Sequence, residues 1–223
     1  MFLGVVHRLD RPVAGLVVFA KTSKALTRLN DMFRNGEVHK TYWAIVTRPP
    51  FETEATLTDW LVRNERQNKS YAYNHQVPTS KKSILHYKVI NQSERYTLLE
   101  INLMTGRHHQ IRCQLSNMDC PIKGDLKYGA PRSNPDGSIC LLSHRVEFIH
   151  PVSKEKICIE SPLPKDNLWQ AIGKYLERFL PPAQLVLTNS TTCAKHQHDM
   201  CGASTRYVRD LNTICVEASH IIR

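Results

Sequence analysis

The sequence predicts an α+β fold: a mixed, mainly antiparallel sheet with a few flanking helices around a central cleft. Three observations point there. Most apolar runs are of strand length, and several alternate with a period of two. Only a few segments carry apolar residues at helical spacing. Those few do not alternate one for one with the strands, as parallel βαβ units require.

Taken in order, residues 2–6 and 15–20 read as short strands joined by a turn at His7-Arg8-Leu9-Asp10-Arg11-Pro12. Residues 23–34 read as a helix. Ala25, Leu26, Leu29, Met32 and Phe33 recur at helical spacing, Thr22 or Ser23 supplies the cap, and Asn35-Gly36 the stop. Residues 38–47 alternate as a strand, with Tyr42, Ala44 and Val46 on one face and Trp43 and Ile45 on the other. Residues 51–83 are polar and read as loop-rich, with a strand-like piece at Ala55-Thr56-Leu57 and basic residues Arg63, Arg66 and Lys69. Strands follow at 84–90 and 95–104, split by Asn91-Gln92-Ser93-Glu94.

Gly106 then opens a predicted helix. Ile111, Leu115 and Met118 form its apolar stripe, while His108 and Arg112, four apart, share a different face. Residues 131–138 read as a surface loop, and 139–149 with 155–160 as a hairpin. A last amphipathic helix covers 167–179, with Leu168, Ile172, Leu176 and Phe179 in register. After Pro181-Pro182 no sustained period remains. Residues 1–180 are therefore read as one domain and 181–223 as an irregular tail.

The 223 residues carry a net charge of +10 and are 41% apolar, enough for one sizeable core. No apolar run approaches the roughly 18 residues a spanning helix needs. The first residues lack the pattern of a secretory signal, so a cytoplasmic location and no membrane partner are expected. The seven cysteines are odd in number and read as reduced thiols rather than a disulfide framework. The charge favours a polyanionic partner, RNA or DNA first and an acidic membrane surface second. Basic residues also stand beside aromatic ones, as in His39-Lys40-Thr41-Tyr42-Trp43 and Lys123-Gly124-Asp125-Leu126-Lys127-Tyr128.

Two polar clusters stand out. Asp10 follows Arg8 and precedes Arg11, just ahead of the apolar run from Gly15 to Ala20. It can cap the next turn, or serve as a nucleophile or as a stabiliser of positive charge on a sugar carbon. The second cluster is Thr105-Gly106-Arg107-His108-His109-Gln110-Ile111-Arg112. Arg112 can pair with a carboxylate through its guanidinium and so orient Asp10. Arg107, near a helix start, suits a backbone phosphate. Tyr42 is either a half-buried core ring or a platform for an extruded base. Adjacent histidines point apart on a helix, so His108-His109 does not favour a metal. Cys193-x-x-His196-x-His198-x-x-Cys201 has zinc-type ligands at too compressed a spacing. No metal and no nucleotide cofactor are expected, since neither a Walker loop nor GxGxxG nor GxSxG is present.

HRLDRPVAGLVVFAKTSKA, KTYWAIV, and TGRHHQIRCQL with PIKGDLKYG together resemble the RluA-type pseudouridine synthase family over about residues 1–180. The resemblance implies isomerisation of uridine to pseudouridine in ribosomal or transfer RNA, with no cofactor. It places Asp10 on the family's catalytic aspartate, Tyr42 on the tyrosine packed against the target base, and Arg112 on the arginine paired with the aspartate. Arg8 falls on the residue that fills the gap left by the flipped nucleotide. Arg107, His108, Lys123 and Lys127 are the further candidates for RNA contact. A non-catalytic RNA-binding remnant of the same fold is the second reading. Family members carry strands and a Lys-Pro motif before HRLD, whereas this sequence opens almost at HRLD. An open sheet edge is expected there.

Overall fold

A computed structural model describes residues 2–179, with two further strands, at 209–211 and 214–219, described as backbone alone. The architecture is one sheet carrying helices and loops. In chain order it comprises β1 (Gly4–Val5), β2 (Ala14–Ala20), α1 (Ser23–Asn35), β3 (His39–Val46), β4 (Glu54–Asn64), β5 (Lys69–Tyr73), β6 (Lys81–Gln92) and β7 (Thr97–Leu103). Then come α2 (Gln110–Asn117), a single 3-10 turn (Leu126–Tyr128), β8 (Leu141–Ile149), β9 (Lys156–Glu160), α3 (Asn167–Phe179), β10 (Arg209–Leu211) and β11 (Ile214–Ser219).

The sheet runs β10-β11-β2-β8-β3-β7-β6-β4-β5, with β1 against β2 and β9 against β8. Every pairing is antiparallel except β2 with β8, which meet in parallel at Ala14↔Leu142 and Gly15↔Ser143. Beyond that short contact β9 takes over the edge of β8, from Arg145↔Glu160 to Ile149↔Lys156. The mixed, mainly antiparallel sheet expected from the sequence is therefore present.

Local chemistry explains the helices. The Thr22 hydroxyl accepts from the Ala25 amide at 3.1 Å, and Gly36 closes α1 in the left-handed region at φ 76°. Asp166 Oδ1 accepts from the amides of Leu168 (2.9 Å) and Trp169 (3.1 Å) at the start of α3. Trp169 and Leu176 of α3 bury into the larger of two apolar cores, beside Ala44, Leu99, Ile101, Ile111 and Leu142. The smaller core joins Leu16 and Val18 of β2 and Leu29 and Met32 of α1 to Val146, Phe148, Ile157 and Ile159.

Three expectations are corrected. Residues 51–83 are not mainly loop but contain the β4–β5 hairpin and the start of β6. The second helix begins at Gln110, not Gly106, because the Gln110 side chain folds back to accept from Thr105 Oγ1 (2.8 Å) and the Arg107 amide (3.0 Å). The described part of the tail is a hairpin, and β11 pairs β2 from Ile214↔Ala20 to Ser219↔Gly15, so the edge of β2 expected to stand open is paired. The remainder of 180–223, including Cys193 through Cys201, lies outside the described residues.

Candidate active site

The loop after β1 is held from both ends. The His7 ring accepts from the Val18 amide at 3.1 Å and stacks on Phe33 of α1 with centroids 5.0 Å apart. Burial first, and then the charge of Lys40, hold its pKa down at about 4. At the other end the Val13 amide donates to the Asp10 carbonyl at 2.9 Å. These contacts fix Asp10 on the floor of a cleft of about 1200 Å³ between the β1–β2 loop, α1, β3 and the 104–112 segment.

Asp10 meets Arg112 there. Arg112 Nη1 donates to Asp10 Oδ2 at 3.2 Å. The rest of the same guanidinium grips Asp125, with Nε to Oδ2 at 2.7 Å and Nη2 to Oδ1 at 2.8 Å. Asp125 is 1% exposed and Arg112 5%, so this fork-on-carboxylate pair is out of water. Burial pulls the Arg112 pKa down, but the hydrogen bonds and charges of Asp125 and Asp10 outweigh it and the net shift is upward. Arg112 is thus a fixed cation that shares one arm with Asp10. The second neighbour of Asp10 is His109, whose Nε2 lies 3.6 Å from Oδ2. Among the described residues nothing hydrogen-bonds to Oδ1.

Tyr42 lines the same cleft but is 7% exposed and belongs to the larger core. Burial first, then the charge of Asp10, raise its pKa to about 12 against the opposite pull of the Ser143 hydroxyl. Its phenol is therefore a neutral hydroxyl rather than a ready base.

Arg8, Arg107 and His108 also line the cleft. Arg8 is exposed, and the Arg107 Nε donates to the Lys82 carbonyl at 3.1 Å. His108 does not share a helix face with Arg112, because the helix starts after it. Its ring instead stacks on His109, with centroids 3.8 Å apart, and touches Ser70 Oγ at 2.9 Å. Lys123 and Lys127 are not among the lining residues. Lys123 Nζ donates to Asn134 Oδ1 at 2.6 Å and fastens the 131–138 loop. Lys127 Nζ donates to the carbonyls of Gln67 and Asn68 in the β4–β5 turn.

Sequence reasoning did not single out Asp125, Tyr128, Lys40, Arg34 or the role of His109. Lys40 and Arg34 add positive charge to the cleft wall; the signal for Lys40 was its place beside Tyr42 and Trp43, and for Arg34 only the general basicity. Asp125 and Tyr128 carried a signal, their place in the PIKGDLKYG block, but nothing in spacing tied them to Arg112 or His109.

The family model described as RNA pseudouridylate synthase matches residues 2–117, more than half of the chain. The chain belongs to the RNA pseudouridylate synthase family. Among curated relatives it is 31% identical over 176 residues to ribosomal large subunit pseudouridine synthase D of Xylella fastidiosa, covering 73% of this chain and 52% of that protein. It is 31% identical over 199 residues to tRNA pseudouridine synthase C of Vibrio vulnificus, covering 81% of this chain and 78% of that one. The chain spans about half the length of the first of these relatives. The fold agrees with that of human RNA pseudouridylate synthase domain containing 4, at a TM-score of 0.63 and 23% identity, with 79% of this chain and 75% of that one covered. Among the described residues no helix is long and apolar enough to cross a membrane.

Proposed function

We propose that this chain isomerises uridine to pseudouridine in ribosomal or transfer RNA, in the cytoplasm, with Asp10 as the reacting carboxylate. The observation that carries the reading is the contact between Arg112 and Asp10, 102 residues apart in sequence, on the floor of a basic cleft. The reaction breaks the N1–C1′ bond, turns the base and forms C5–C1′, while C5 loses a proton and N1 gains one. Product and substrate have the same atoms, so the chemistry consumes no cofactor, metal or nucleotide.

Breaking the glycosidic bond builds positive charge on the sugar, and a fixed carboxylate in a cleft stabilises it. Arg112 holds Oδ2 and leaves Oδ1 to the substrate. Attack at C1′ and removal of the C2′ proton both need that oxygen. Extruding the uridine costs a few kcal/mol of unstacking. Contact with Tyr42 can return about 1–3 kcal/mol, and the exposed Arg8 can fill the vacancy left in the RNA. Arg107 and His108, on the cleft wall, would meet flanking phosphates.

RNA labelled with tritium at C5 of uridine tests the reading. Bulk ribosomal or transfer RNA should release label with the wild-type chain, and Asp10→Asn should slow release by on the order of a thousandfold or more. Undiminished release by Asp10→Asn would remove Asp10 from the chemistry. Salt-sensitive RNA binding without release by the wild type would make the chain a binding remnant.

A further inference from the structure

We propose that His109 is a positioning residue for Asp10, its Nε2–H aimed at the carboxylate in a tautomer locked by the hydroxyl of Tyr128. The inference rests on the reading of Asp10 as the reacting carboxylate.

A count of protons fixes the tautomer. Tyr128 is 3% exposed, and its hydroxyl oxygen accepts from the Ser70 amide at 2.8 Å. The same oxygen lies 3.0 Å from His109 Nδ1. A tyrosine hydroxyl has one proton to donate. Among the described residues no other acceptor is within reach of it, and a buried donor without a partner is costly. The proton therefore goes to Nδ1, which must be the unprotonated nitrogen. In a neutral imidazole the hydrogen then sits on Nε2, the atom that faces Asp10 Oδ2 at 3.6 Å. That distance exceeds a formed hydrogen bond, but an N–H dipole there still stabilises the charge. Such contacts are often long before substrate is seated.

The ring is neutral near pH 7. Its pKa is held down at about 4, by burial first; Asp10 pulls upward, while Arg112, His108 and Lys127 push down. Lys69 also stands near, 5.1 Å above the Tyr128 ring. The backbone supports a dedicated placement. His109 has φ 51°, in the left-handed region that a non-glycine residue occupies at a cost. Its ring is clamped between the stacked His108 and the edge of Tyr128, whose centroid is 5.6 Å away.

One short segment thus governs both groups on Oδ2. Asp125 holds Arg112, and Tyr128, three residues on, holds His109. With both directed at one oxygen, Oδ1 is the oxygen presented to substrate.

Long-range proton–nitrogen correlation spectra of the ¹⁵N-labelled full chain read the tautomer directly, with His109→Gln assigning the signals. The wild type should show the neutral Nε2–H form from pH 8 down to pH 5. Tyr128→Phe keeps the ring shape and removes the donated hydrogen bond, which had favoured the neutral form. In that variant the signals should shift toward mixed tautomers, and protonation should begin at least about one pH unit higher. An Nδ1–H form in the wild type, or unchanged His109 signals in Tyr128→Phe, overturns the proposal. Kinetics give a second reading. His109→Leu should lower kcat by roughly 10- to 100-fold at unchanged KM, the scale of one hydrogen bond to a charge, and His109→Gln, which retains a donor, should recover most of it. Equal losses in the two variants also overturn it. Absence of tritium release by the wild type would remove the uridine reading, while the nitrogen shifts would still decide this one.

Discussion

At position 42 packing and chemistry share one ring. Tyr42 sits in the larger core at 7% exposure, yet its edge lines the cleft. Truncation to alanine mixes the two effects, since a buried aromatic lost from a core costs about 3–5 kcal/mol. Tyr42→Phe separates them. It should keep the urea midpoint close to wild type while lowering tritium release, because it removes only the hydroxyl; unchanged release would leave the hydroxyl without a part in turnover. Asp10, Arg112 and Tyr42 were legible as candidates through the resemblance that the motif blocks carry together, while spacing alone left Asp10 open as a turn cap and Tyr42 as a core ring. Asp125, His109 and Tyr128 were not, because what defines them is a through-space partner. A turn that looks merely polar becomes the anchor of the site only once Asp125 meets Arg112 at 2.7 Å.

Elements show where alternation misleads. In β4 the positions turned toward α2 include Asp59, whose Oδ2 accepts from Gln114 Nε2 at 2.7 Å. In β5 the exposed side carries Tyr71 and Tyr73, at 39% and 41%, while the buried position is Ser70. In β5 this inverts the usual pattern, so that strand reads as loop, whereas β4 turns Ala55, Leu57 and Leu61 inward and is broken only by Asp59. The strands with apolar interiors, β3, β6, β7 and β8, were legible to within a few residues, as were α1 through its cap and spacing and α3 through its spacing alone. At β2 the decisive residue is Gly15. It has φ +119°, and a Cβ there would lie 2.3 Å from the Ser143 carbonyl oxygen of β8. Gly15→Ala should therefore cost more than about 2 kcal/mol, seen as a fall in the denaturation midpoint with loss of tritium release. A midpoint within error of wild type would show that the parallel β2–β8 contact can spread without penalty.

On the scale of the whole molecule, buried titrating groups set a pH limit. His7, His109 and His144 each have the pKa held down at about 4, by burial first. Between pH 6.5 and 4 the unfolded chain binds protons at these rings that the folded chain does not, so stability falls as pH falls through that window. Glu160 acts in the opposite sense. Burial first raises its pKa to about 7, so the folded chain takes up its proton earlier than the unfolded one and gains relative stability on acidification. Three histidines against one glutamate leave a net loss on the order of a few kcal/mol. Urea midpoints at pH 7 and pH 4.5 check it, and equal or greater stability at pH 4.5 would contradict it.

The ladder between β3 and β8 slips by one place, pairing Tyr42 with Ser143 but Thr41 with Arg145. His144 is the supernumerary residue, its ring stacked on Trp43 at 3.8 Å. Side chains alternate along a strand, so one insertion exchanges inside for outside in everything downstream. That exchange sends Val146 and Phe148 to the smaller core and turns Arg145 and Glu147 to the cleft wall. Excising His144 alone would straighten the ladder with each downstream pair kept, Arg145 still opposite Thr41 and Val146 opposite Lys40, so the two walls should survive and only the stack on Trp43 would be lost.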